Sequence, residues 1–146
     1  MTKPREMTES ELVAWGENLG RELRAPAVIT LAGDLGAGKT TLTQAICRGF
    51  GVLDEVTSPT FAIVHVYEAP RSPVHHVDLY RLDGPRDLQN IGWDDMMRGG
   101  GVVIVEWPER AAVALPRDAT AIELRFVKGD PSRRVLIEHA PAGAAA

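Results

Sequence analysis

Val28-Ile29-Thr30-Leu31-Ala32-Gly33-Asp34-Leu35-Gly36-Ala37-Gly38-Lys39-Thr40 is the stretch on which the fold turns. Its first five residues are a short apolar run with β-branched side chains, of the kind a buried parallel strand gives. Its last eight match G-x-x-x-x-G-K-[ST], the pattern of a phosphate-binding loop. Gly33, Gly36 and Gly38 let the backbone curl so that the amides of the loop, including those of Asp34, Leu35 and Ala37, point inward at phosphate oxygens. Lys39 is placed to reach the β- and γ-phosphates and the Thr40 hydroxyl to hold Mg²⁺, with Thr41 following at the start of a helix. The free amides and partial positive charge of that helix N-terminus add to the anion site. The helix itself is announced by Leu42, Ala45, Ile46 and Gly49 at helical spacing, and Gly49 with Gly51 offers its stop. Strand, loop and helix in this order are the context the motif requires, and they point to a nucleoside triphosphate bound with magnesium.

Outward from the loop, the chain reads as one domain over residues 1–139 and a tail of Ala, Pro and Gly over 140–146 that is expected to be disordered. At 146 residues it is long enough to bury a core, and 45% hydrophobic with 25% charged residues is an ordinary globular balance. A formal net charge of −4 argues against a protein that grips nucleic acid by itself through a broad basic surface. Cys47 is alone, so no intrachain disulfide can form, and its place in the loop helix suits a buried apolar residue. The first six residues, Met-Thr-Lys-Pro-Arg-Glu, lack the apolar region of a secretory leader, and no stretch approaches membrane-span length. A cytoplasmic protein without membrane attachment is the expectation.

Thr8-Glu9-Ser10-Glu11 has the form of a capping box and opens a helix whose Leu12, Trp15, Leu19 and Leu23 share a face; Pro26 closes it. Phe61 to Tyr67 and Val74 to Tyr80 are β-rich runs joined by a Pro-bearing turn, which predicts an antiparallel hairpin. A helical stretch through Leu88, Ile91 and Met96 breaks near Gly92, and Gly99-Gly100-Gly101 precedes Val102-Val103-Ile104-Val105, a run apolar enough to be covered on both faces. Ala121 to Val127 and Arg133 to Glu138 predict a last hairpin around Lys128-Gly129-Asp130-Pro131. The whole predicts an α/β protein of the P-loop NTPase fold, a mixed parallel and antiparallel sheet with flanking helices.

Such a site needs a carboxylate at the end of a neighbouring strand, to hold Mg²⁺ or to place a water. Glu106 ends the most apolar strand and is favoured for the metal; Asp78, ending a weaker run, is given a supporting or catalytic part. Thr60, in Ser58-Pro59-Thr60, stands where a nucleotide switch would follow the γ-phosphate. Trp107 beside Glu106 is either packing or part of the site. His75 and His76 are adjacent on a strand, point to opposite faces and cannot share a metal, while His65 and His139 have no ligand-spaced neighbours. Trp15 reads as core.

Four segments then make a more specific pattern: the loop Gly33 to Thr41, Ser58-Pro59-Thr60-Phe61, His76-Val77-Asp78-Leu79-Tyr80-Arg81-Leu82, and Val105-Glu106-Trp107-Pro108-Glu109. In order and spacing they resemble the TsaE (YjeE) family of bacterial ATPases over about Thr8 to Arg134. The resemblance implies a weak ATPase that acts with TsaB and TsaD in the threonylcarbamoyl modification of the adenosine beside the anticodon of certain tRNAs, touching tRNA only through that complex. It also implies Thr40 and Glu106 on Mg²⁺, Thr60 in the switch, Asp78 and Trp107 in support of activity, and ATP with its adenine near Thr8 or Glu9 and near Arg133 or Arg134. A small-molecule kinase of the P-loop class is the alternative, but the chain offers no long insertion for a lid. A GTPase is disfavoured because neither Asn18 nor Asn90 begins an N-K-x-D sequence, and a scaffold with a purely structural nucleotide would release no phosphate. No arginine finger is evident in cis, so turnover by the chain alone is expected to be slow.

Overall fold

The computed structural model describes residues 3–56, 63–84 and 86–139. Among the described residues, seven strands form one sheet: β1 (Lys3–Thr8), β2 (Ala27–Ala32), β3 (Val64–Tyr67), β4 (Val74–Asp78), β5 (Val102–Glu106), β6 (Thr120–Val127) and β7 (Asp130–His139), in the spatial order β1-β7-β6-β2-β5-β4-β3. The middle is parallel, with β2 between β5 and β6 and β4 beside β5. Antiparallel pairs make the flanks, β3 on β4 at one edge and β6, β7 and β1 at the other. Four helices flank the sheet, α1 (Glu9–Glu22), α2 (Lys39–Phe50), α3 (Arg86–Asn90) and α4 (Trp93–Arg98), and two short 3₁₀ turns follow β5 at Pro108–Arg110 and Ala112–Ala114.

The two-residue period of the strands sorts the core onto two faces. Ile29 and Leu31 of β2, Val74 of β4, and Val102 and Ile104 of β5 pack with Leu12 of α1 and with Leu42, Ile46, Cys47 and Phe50 of α2. Val77, Val103 and Val105 face the other way, onto Leu88 of α3 and Trp93 and Met96 of α4. All five residues of β5 are buried, as its unbroken apolar run requires. Both expected hairpins and the helix break at Gly92 are present. The capping box also forms: the Thr8 hydroxyl accepts from the Glu11 amide at 3.3 Å, and the Glu11 carboxylate accepts from the Thr8 amide at 3.0 Å.

Three expectations are corrected. β1 was not anticipated, because Lys3-Pro-Arg-Glu-Met-Thr has one buried apolar residue, Met7, and is polar elsewhere. It is an edge strand paired only with β7, and a charged, Pro-bearing sequence is what an edge tolerates. Gly49 does not stop α2; Gly51 does, with φ +106° and its amide on the Cys47 carbonyl at 3.1 Å. Gly49 lies inside the helix because a Cβ there would come within 2.0 Å of the Glu17 carbonyl of α1, as one at Gly20 would come within 2.1 Å of the Ile46 carbonyl. The two helices thus touch backbone to backbone. The second strand of the first hairpin is also shorter than its β-rich run, β4 ending at Asp78 where the Asp78 carboxylate takes the Tyr80 amide at 3.0 Å and turns the chain, while Phe61 and Ala62 of the first run lie outside the described residues. Residues 57–62, with Thr60, and the tail 140–146 lie outside the described residues. Among the described residues, no helix is long and apolar enough to cross a membrane.

Candidate functional site

Three parallel strands deliver the site to one edge of the sheet. β2 ends at Ala32 and feeds the glycine-rich loop; β4 ends at Asp78 and β5 at Glu106, in register with each other as sheet neighbours. This is the carboxyl edge, where open α/β sheets place ligands. The loop curls with positive φ at Gly33, Gly36 and Gly38. At Gly33 a side chain is excluded twice, since φ is +148° and a Cβ would stand 2.5 Å from the Leu124 carbonyl of β6. Gly38 caps α2, and among the described residues no side chain caps the first amides of that helix.

Lys39 is buried, and its ammonium donates to the carbonyls of Gly33 at 2.5 Å and Asp34 at 2.9 Å, so the loop is closed around its own cation. Burial pushes the lysine below its ordinary pKa; Glu106, Asp78, Glu109 and Asp34 oppose that by attraction. The same ammonium lies 4.1 Å from the centre of the Trp107 ring, in cation–π contact, and Tyr80 stacks obliquely on Trp107 at 4.8 Å. Trp107 is the only non-glycine residue with positive φ among the described residues, at +60°. For a bulky side chain that conformation costs of order 1–3 kcal/mol, and it turns the ring over the lysine.

Loop, lysine and strand ends enclose a cavity of about 280 Å³ lined by Leu35, Gly36, Gly38, Lys39, Thr40, Thr41, Asp78, Glu106 and Trp107. A second, of about 450 Å³, adjoins it through Gly36, Gly38 and Thr41 and runs between Thr8, Glu9 and Ser10 on one side and Pro131, Ser132 and Arg134 on the other. Arg134 is held by main-chain oxygens: its guanidinium donates to Ala37 at 3.2 Å, Gly36 at 3.4 Å, and Pro131 and Arg133 at 2.8 Å each, and it lies over the Phe126 ring. It braces the outside of the loop from β7. Arg133 instead faces Glu6 and Asp130.

The two carboxylates differ. Asp78 is half-buried, and loss of water raises its pKa; the Tyr80 amide partly offsets this, while the Glu106 charge adds to it. Glu106 is buried, with one carboxylate oxygen, Oε2, 2.5 Å from His76 Nε2. Sequence reasoning gave His76 no partner, yet the two-residue period already placed it on the face shared by Val74 and Asp78. His75 points away from it, as expected. His139 pairs with Glu123 at 3.0 Å and His65 with the Tyr67 hydroxyl at 3.1 Å. Among the described residues no group of three His, Cys, Asp or Glu is arranged to hold an ion unaided. Trp15 packs partly buried against the α1 and α2 side of the core, and burial raises the Cys47 thiol to about 12, which leaves it inert.

Residues 7–135 match the family model described as Threonylcarbamoyl adenosine biosynthesis protein TsaE. The chain belongs to the TsaE family. Among curated TsaE proteins, each named tRNA threonylcarbamoyladenosine biosynthesis protein TsaE, that of Treponema pallidum is 39% identical over 84% of this chain and 90% of its own length, and that of Streptomyces coelicolor is 38% identical over 82% of each. The crystal structure of Bacillus subtilis YdiB superposes with a TM-score of 0.79 at 30% identity, covering 97% of this chain and 88% of that one. The TsaE match begins one residue before the α1 cap and ends one residue after Arg134, so both walls of the second cavity lie inside it.

Proposed function

We propose that this chain is a P-loop ATPase that binds ATP with Mg²⁺ at the carboxyl edge of the sheet, hydrolyses it slowly, and serves the threonylcarbamoyl modification of adenosine beside the anticodon of tRNA. One observation carries the reading: in a member of the TsaE family, a helix N-terminus and a lysine that, among the described residues, have no side-chain cap and no hydrogen-bond partner beyond the loop's own carbonyls converge with two strand-end carboxylates on one cavity. The donors suit the ligand. The Lys39 ammonium and the α2 N-terminus border a cavity in which no anion among the described residues is bonded to the lysine, and a polyphosphate would complete them, while the Ala37 amide is already taken by the Asp34 carbonyl at 3.0 Å. Thr40 and Glu106 are the residues that would hold Mg²⁺, which when bound screens phosphate charge and polarises the transferred phosphoryl group.

In this reading Lys39 exchanges its two carbonyl partners for phosphate oxygens and stays under the Trp107 ring. The second cavity takes the nucleoside between the start of α1, with Thr8 and Glu9, and the β6–β7 hairpin, with Arg134 holding the loop's outer carbonyls in place rather than reaching the base. Asp78, partly desolvated, orients the attacking water. Ser58 to Thr60 would follow the γ-phosphate, and the nucleotide-dependent surface so formed would engage the TsaB–TsaD transferase, which contacts tRNA. Phosphate release, measured with and without those two proteins, tests the proposal. Slow release that the pair accelerates, and that Glu106→Ala abolishes while nucleotide remains bound, is expected; release at the parent rate from that variant would remove Glu106 from the metal site.

A further inference from the structure

His76 occupies a place where an aliphatic side chain would be expected. It is completely buried on β4, between Val74 and Asp78 on the face that packs against α2, and it lines neither cavity. Its Nε2 is 2.5 Å from Glu106 Oε2, and its Nδ1 is buried with no hydrogen-bond partner among the described residues. Opposite an ionised carboxylate Nε2 is the donor, and Nδ1, whichever role it takes, has no partner among the described residues. A buried polar atom left in that state costs the fold free energy that valine or isoleucine at position 76 would not. His75 Nδ1 is buried without a partner as well; what sets His76 apart is its contact, which ends on the carboxylate of the site.

We propose that His76 is a positioning residue for Glu106, its Nε2–H fixing one carboxylate oxygen so that the other is presented to the cavity shared with Lys39 and Thr40. The inference rests on the reading that Glu106 serves Mg²⁺ and adds to it the group that sets the angle of that ligand. Glutamate has three rotatable side-chain bonds, and strand geometry alone holds only the first atoms of the chain. A donor anchored in the core below holds the far end. Partners of this kind behind metal ligands are worth about 10–100-fold in metal affinity or activity.

The test uses Mn²⁺ as the probe, titrated by electron paramagnetic resonance into the full chain saturated with a non-hydrolysable ATP analogue. His76→Gln puts an amide N–H near the Nε2 position, whereas His76→Asn is one methylene too short to reach Glu106. His76→Asn is expected to weaken Mn²⁺ about 10–100-fold and His76→Gln only about threefold, both with unchanged metal-free nucleotide affinity. Equal Mn²⁺ affinity in parent, Gln and Asn forms, or equal weakening in the two variants, overturns the role of His76. Glu106→Gln separates the two levels: if it binds Mn²⁺ like the parent, the metal assignment fails and the inference with it, whereas if it is weakened and both His76 variants are not, the inference alone fails. Nitrogen NMR of the unmodified chain needs no variant to fold. It is expected to show the proton on His76 Nε2 and a shift of that signal when Mg²⁺ is added to the nucleotide complex; a proton on Nδ1, or a signal indifferent to Mg²⁺, contradicts the proposal.

Discussion

Two cations bonded to main-chain carbonyls sit at opposite ends of α2, and they do opposite things. Arg71, in the turn between β3 and β4, donates to Gly20, Arg21 and Leu23 at the end of α1 and to Phe50 at the end of α2, at 3.1 to 3.3 Å, with its guanidinium 4.4 Å from the centre of the Phe50 ring. Helix C-termini present unpaired carbonyls and partial negative charge, so this arginine is where a cation is most stabilising. Lys39 begins α2, at the positive end of the dipole, buried, with a pKa depressed by loss of water. The arginine closes the fold. The lysine is held at some cost to stability in a place that an anion would improve, and on the proposed reading the difference separates a residue kept for the structure from one kept for a ligand.

Lys39→Ala should break that contrast most visibly. Without nucleotide its thermal midpoint is expected to match or exceed the parent's; with Mg·ATP the parent should gain about 2.7 kcal/mol at a ligand concentration one hundred times Kd, and the variant nothing. Thermal unfolding with and without nucleotide measures both, and an equal gain in the two proteins would make the lysine structural. Gly49→Ala attacks the frame instead. Its methyl would meet the Glu17 carbonyl, and an overpacked helix contact costs about 1–3 kcal/mol, readable by urea unfolding; no change would mean that α1 and α2 separate freely.

Arg71→Ala is the converse of the lysine change. Loss of its charge-assisted bonds should cost about 1–2 kcal/mol in the same unfolding experiment, discounted because much of the side chain is exposed, while nucleotide affinity at low temperature stays at the parent value. A large drop in affinity with unchanged stability would reverse the roles of the two ends.

Asp78→Asn sharpens the comparison by the smallest amount. Because burial raises the folded-state pKa of Asp78 above its unfolded value, the ionised carboxylate opposes folding once pH exceeds the folded value, and this disadvantage fades as pH falls to the unfolded one. Asparagine keeps the acceptor for the Tyr80 amide and never ionises. The variant should therefore be slightly more stable than the parent at pH 7 and equal to it below the unfolded value, while hydrolysing ATP more slowly. Thermal midpoints across pH decide this, and a variant less stable than the parent at pH 7 would contradict it.

How much of this could be read in advance follows from which interactions are local. The loop, β2, α2 and β5 were legible because glycine spacing, a helical period and an unbroken apolar run act over a few residues. Glu106 was legible as the polar residue terminating such a run, and Asp78 as its neighbour. β1 was not, since an edge strand held by β7, more than a hundred residues away, needs little apolar pattern. Gly49 looked like a helix stop because closeness to α1 leaves no mark in its own neighbourhood. Arg71 and Arg134 act on backbone carbonyls, which every residue possesses, and Trp107 gives no hint of its left-handed backbone. His76 lay within reach, two residues before Asp78 on the same face, but its partner is thirty positions on.

The central claim is that the glycine-rich loop and Lys39 bind a magnesium nucleoside triphosphate. Calorimetric titration of Mg·ATP into the folded chain and into folded Lys39→Ala tests it most directly. Saturable one-to-one heat from the first and none from the second is the predicted result; no heat from either, or the same isotherm from both, would contradict it.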